Sequence, residues 1–354
     1  TNNGNVLTTV SGVIQNAGTV TSNAARLLFN NGSMYVHNRA GGNIPLSTWS
    51  ANSTCKVTGL TNGDAGNDQQ AFGNLVYDCP NMTGNRILGG NGLSIAGNLE
   101  IVNTGAANLV QGLSTLIVGG DFILQGGIFR IGDNTNRTMT ISGEVSVDGG
   151  TLEMSSGNNA ADRGTINVAG NFSQNGGTIT ETLSGRGVIN FTGNAVQAFS
   201  KNALASISNN IDFSINSGAT VDFGTSVLNG SSGTFTLNSN GKIVTANASG
   251  FYSGGNSGCI QVGGTRTYSS LADYEFKGTS TGIFTTSSNP QVRNFVVNNT
   301  TGNVLMSQPM TVNGVLTLTA GLLTTTATNL LTISATGSAS AATNASFVNG
   351  PMAK

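Results

Sequence analysis

Apolar and polar residues alternate with a period of two in short runs, and the runs recur. Between residues 116 and 177 the chain reads LIVGGDFILQGGIFRIG, then MTISGEVSVDGGTLEMSSG, then INVAGNFSQNGGTIT. One set of alternate positions holds Leu116, Val118, Phe122, Leu124, Phe129 and Ile131. Its equivalents are Met139, Ile141, Val145, Val147, Leu152 and Met154, then Ile166, Val168, Phe172, Gln174, Ile179 and Glu181. The positions between them are mostly polar, with Asp121, Glu144 and Asn171 in one row and Gln125, Asp148 and Asn175 in another. This alternation predicts half-buried strands, one side facing a core.

The unit also has a fixed length. Related glycines fall at Gly97, Gly120, Gly143, Gly170 and Gly193, in steps of 23, 23, 27 and 23 residues. Gly218, Gly241 and Gly264 keep the step, as do Gly314 and Gly337. So short a step excludes a helix pair and a four-stranded propeller blade, and suits one coil of a solenoid. The prediction is an all-β chain folded as a right-handed parallel β-helix with about 23 residues per coil. Stacking puts like over like at ~4.8 Å. Arg130 then lies over Glu153, an exposed pair worth ~0–1 kcal/mol. Asp121 lies over Glu144, a mildly unfavourable like-charge stack. The glycines supply corners with positive φ, helped by neighbouring Asn and Asp.

Two segments differ in regularity. Residues 1–92 open with a copy of the unit, then hold longer loops, the single Trp, the single His and two of the three cysteines. Residues 93–354 carry the regular coils, continuous with the first segment. A phase change near SINSGATVDFG predicts a bulge or an irregular corner. Residues 251–290 are rich in Ser, Thr and Gly, with Tyr252, Tyr268 and Tyr274 interspersed.

Composition narrows the function. Charged residues are 8% of the chain, the net charge is −1, and no basic run occurs, so no electrostatic footprint for nucleic acid exists. No apolar run reaches membrane-helix length. The chain opens at Thr1 without Met, which reads as a trimmed product. Cys55 and Cys79 are 24 residues apart, about one coil, which places them on adjacent strands within disulfide reach. The alternative is a pair of buried thiols. Cys259 is left over.

YVHNRAGGNIPLSTWSANSTCKVTG, AFGNLVYDCP, the VAGNFSQNGGTIT coils, and TVNGVLTLTAGLLTTTATNLLTI with FVNGPMAK together resemble the large repetitive surface proteins of Bacteroidetes-type bacteria. Those proteins are exported by the type IX secretion system. The resemblance implies an extracellular or cell-surface, adhesin-like β-helix. Such proteins end in a C-terminal sorting domain, and residues up to Lys354 show none, so the export route is an inference.

Candidate chemistry is sparse. Asp121, Glu144, Asp148 and Glu153 lie on outward rows and could form the carboxylate pair of a glycosidase, or simply a solvated face. His37 is the only histidine, expected outward or in a loop, and no Gly-x-Ser-x-Gly elbow accompanies it. Cys55, Cys79 and His37 lack zinc-site spacing. Gly89-Gly90-Asn91-Gly92 reads as a turn. At the outward positions equivalent to 123 and 125, only the copy with Thr317 and Thr319 is Thr-x-Thr, so the ladder an ice-binding plane needs is missing. Tyr35 and Trp49 are candidate carbohydrate contacts, with core packing as the alternative. The expectation is a non-enzymatic structural and adhesive solenoid without catalytic residues, cofactor or metal. Its expected partners are further copies stacked end to end and a surface polysaccharide. The alternative is a polysaccharide-binding or polysaccharide-degrading module.

Overall fold

The computed structural model describes residues 6–252, 257–285, 287 and 289–354. Every regular element among them is a β-strand, and the strands pair in parallel to form a β-solenoid. The chain divides into two compact units. One comprises residues 1–188 with 203–208, the other 189–202 with 209–354.

In the first unit, three faces repeat coil by coil. The first face stacks Val13–Asn16, Met34–His37, Thr54–Val57, Asn74–Asp78, Leu99–Asn103, Phe122–Leu124, Val145–Val147 and Phe172–Gln174. A second face runs through Thr115–Val118, Arg137–Ile141 and Arg163–Val168. A third runs through Asn108–Gln111, Ile128–Gly132, Thr151–Ser155 and Thr178–Thr180. The ladder is continuous across residue 92, because Leu75 pairs with Leu99. The repeat alignment read from the sequence is the observed register. Leu116 pairs with Met139 and Met139 with Ile166, Phe122 with Val145 and Val145 with Phe172, Phe129 with Leu152 and Leu152 with Ile179. The inward rows are fully buried, and burial extends to Gln174 and Glu181 at inward positions.

The glycines work differently from the expectation. Gly97, Gly120, Gly143 and Gly170 do not have positive φ. A Cβ at Gly97, Gly120 or Gly143 would overlap the side-chain oxygen of Asn74, Asn98 or Asp121 from the preceding coil. That oxygen sits there because it accepts a backbone N–H one residue further on. The N–H groups of Asn98, Asp121 and Glu144 donate to Asn74, Asn98 and Asp121 at 2.8 Å each. Glycine here is a matter of close approach. Positive φ belongs to the second Gly of each pair, at Gly127, Gly150 and Gly177, where a Cβ would clash in the bend.

In the second unit, one face stacks Val196–Lys201, Thr220–Asp222, Lys242–Thr245, Asp273–Phe276, Asn294–Asn298, Val315–Ala320 and Ser338–Ala339. The phase change near 214–224 is taken up at a corner, where Gly218 has φ 85°. Register shifts inside a ladder fall at Tyr77–Asp78 and Val297–Asn298.

Candidate functional site

The outward acids are tied into hydrogen bonds that run along the coils. Asp121 accepts the Glu144 N–H, and Asn171 Nδ2 donates to Glu144 Oε1 at 2.7 Å. Asp148 accepts from Asn175 Nδ2 at 2.7 Å and from Ser146 Oγ at 2.8 Å. Gln125 Nε2 donates to Glu100 Oε1 at 2.7 Å. Each acid is matched by an amide, hydroxyl or N–H, mostly one coil away. Among the described residues no group of three His, Cys, Asp or Glu side chains could hold a metal ion.

Glu153 departs from its expected exposure. It sits on the outer side of Thr151–Ser155, but Leu152 through Ser155 are all buried, so both sides of that strand are covered. Glu153 accepts from Arg130 Nε at 2.7 Å and from Thr182 Oγ1 at 2.5 Å. The pair is therefore a buried one, with the Glu153 side chain 6% exposed and Arg130 17%.

The aromatic candidates are core residues. Tyr35 is 0% exposed and Trp49 8%, so neither offers a ring face to a sugar. Trp49 stacks on Phe29 with centroids 4.3 Å apart, and its Nε1 donates to Gln70 Oε1 at 3.3 Å. Tyr35 Oη accepts from Asn16 Nδ2 at 3.0 Å. His37, expected outside, is buried beside it, with Nδ1 3.5 Å from Tyr35 Oη and Nε2 donating to the Gly41 carbonyl at 3.2 Å. Burial lowers its pKa below the ordinary imidazole value, with the Gly41 hydrogen bond opposing and Arg39 adding a smaller push in the same direction.

The disulfide is not formed; all three cysteines are free and buried. The reason is local coil length. Met34 pairs with Thr54 and Thr54 with Asn74, so Cys55 faces Tyr35 on one side and Leu75 on the other. Cys79 lies four positions past Leu75 and donates its thiol to the Val57 carbonyl at 3.4 Å. Burial pushes the thiol of Cys79 up to about 11 and that of Cys259 to about 12, and raises Cys55 further. A thiol-exchange reagent at pH 8 should therefore label none of the three in the native protein and all three in denaturant. One labelled thiol in denaturant would restore the bridge.

A concave site appears where the alternation gave no sign of one, in the second unit. Arg266–Tyr268 pairs with Phe235–Leu237 on one side and is the last strand of its sheet; Gln291–Val292 begins another. At this break lies a groove in two sections, of about 480 Å³ and 380 Å³, which share Tyr268, Phe284 and Thr285. The Arg266 guanidinium carbon lies 3.8 Å from the ring centroid of Tyr252. Phe251, Tyr268, Tyr274 and Phe284 form a cluster of rings with centroids 5.2–5.9 Å apart. The only hint in the sequence was tyrosine spaced through an otherwise Ser/Thr/Gly-rich stretch.

Among the described residues no helix is long and apolar enough to cross a membrane. Comparison with known protein families, with characterised proteins and with solved structures finds no match to this chain.

Proposed function

We infer that this protein is a non-enzymatic extracellular scaffold whose side faces make adhesive contact, a solenoid of the cell-surface kind. The observation that supports this reading best is the use made of the outward acids. Asp121, Glu144, Asp148 and Glu100 are each held by a neighbouring amide, hydroxyl or N–H, so they join coil to coil. A glycosidase needs one acid free to give a proton and another free to attack or activate water. Carboxylates locked in ladder hydrogen bonds serve rigidity instead. With only 8% charged residues, the surface left for contact is chiefly Ser, Thr, Asn and Gly, which suits many weak polar contacts over area.

The test is to coat beads with the purified protein and measure their retention on immobilised polysaccharides, neutral and acidic, while assaying the same sugars for new reducing ends or unsaturated products. Retention without product is the expected result. Product formation that scales with protein concentration would remove the scaffold reading in favour of a polysaccharide-degrading one.

A further inference from the structure

We propose that the groove at the sheet break in the second unit binds an acidic polysaccharide, with Arg266 holding a uronate carboxylate against an aromatic wall. This deepens the adhesive reading and rests on it, by giving the adhesion a site.

The charge balance of the groove points to the ligand. Among the described residues, Arg266 is the one charged residue that lines the groove, and no Asp or Glu lines either section. The nearby acids are already engaged. Asp273 accepts two hydrogen bonds from Arg293, at 2.7 and 2.8 Å, and Glu275 pairs with Lys242 at 2.8 Å. Arg266 itself makes one long hydrogen bond, 3.4 Å to the Val262 carbonyl, and leans on the Tyr252 ring. A guanidinium fixed by cation–π contact but lacking an anion is a preformed half of a carboxylate site.

A second observation is Tyr268, which lines both sections while its hydroxyl is covered and takes no part in the groove surface. The remaining lining chemistry is apolar rings and small hydroxyls: Phe284, Thr265, Thr267 and Thr285. A pyranose ring presents the matching surfaces, an apolar C–H face and a polar rim. An extended peptide is the rival occupant, since the free edge of Arg266–Tyr268 could accept a strand. That edge is only three residues long, which offers few main-chain bonds. It also leaves the Arg266 charge unexplained.

The protein's net charge of −1 makes the test clean, because no general attraction draws a polyanion to it. Native electrophoresis through gels containing polygalacturonate or dextran would compare the parent with Arg266→Ala, Arg266→Gln and Arg163→Ala. Arg163 is an exposed arginine in the other unit and controls for loss of one positive charge. Expected is retardation by polygalacturonate and not by dextran, with affinity about 10-fold weaker in both Arg266 variants. Arg163→Ala should match the parent. Arg266→Gln keeps a polar chain over Tyr252, so it answers the question if the alanine variant loses its β-type circular dichroism. Equal retardation of parent and Arg266 variants overturns the proposal. So does retardation by dextran alone, or saturable binding of an unstructured peptide that Arg266→Gln weakens while sugar binding stays unchanged. If coated beads still adhere while the groove variants behave as the parent, the site falls and the scaffold stands. If the parent neither adheres as coated beads nor is retarded by polygalacturonate, both readings fall.

Discussion

Replacing Gly164 by alanine is expected to destabilise the first unit by about 3 kcal/mol or more. Gly164 is the second residue of the strand Arg163–Val168 and pairs with Arg137 of the preceding coil. A Cβ there would overlap the Met154 carbonyl oxygen, with Met154 carbon and Cα also within contact distance. The obstacle is backbone, so no rotamer change relieves it, and the corner or the ladder must move. Gly12 is the control. A Cβ there meets nothing within 4 Å and its φ is not positive, so Gly12→Ala should stay within about 0.5 kcal/mol of the parent or gain slightly from a less flexible unfolded chain. Urea titration of the two variants decides the matter. Equal midpoints would mean that the corner is looser than this packing allows.

Arg130→Ala should cost about 3 kcal/mol, far more than a surface ion pair, because it strands the Glu153 carboxylate under cover. Thr182 Oγ1 remains as a partner, but one hydroxyl does not neutralise a charge. The double variant Arg130→Met, Glu153→Leu should recover most of the loss, since well-packed apolar chains often replace a buried pair at little cost. Thermal melts of parent, single and double variants give the result. A single variant within about 1 kcal/mol of the parent would place the pair back on the surface.

How far the fold was legible depends on where the period was read. The rows through Leu116, Phe122 and Phe129 could be aligned from sequence because their corners have nearly constant length, and the observed register follows that alignment residue by residue. Transferring the same period to the first coils failed. There the step from Cys55 to its partner Leu75 is shorter than the 24 residues to Cys79, and four residues of slip separate the two thiols. His37 was misplaced for a related reason, and for Tyr35 and Trp49 the core-packing alternative is the one observed. Polar and amphipathic side chains in irregular coils can face inward when Asn16, Gly41 or Gln70 satisfies them, and those partners lie 4 to 21 residues away. Glu153 was placed on its correct side, but alternation cannot reveal that something else covers that side. The groove was illegible for the complementary reason: a strand lacking a neighbour looks the same in sequence as one that has it.

The Gly–Asn and Gly–Asp steps impose a rule of growth. Each side chain that plugs the gap left by the next coil's glycine works as a tooth in a matching notch, and teeth recur once per turn. Duplication or loss of a whole turn carries a tooth and its notch together and leaves the sequence of fittings intact. A cut of a few residues inside a strand misaligns every fitting on that coil at once. Lineages carrying such a chain can therefore lengthen or shorten it in quanta of one turn, with change of other sizes confined to the corners, as the four extra residues before Arg163 already illustrate.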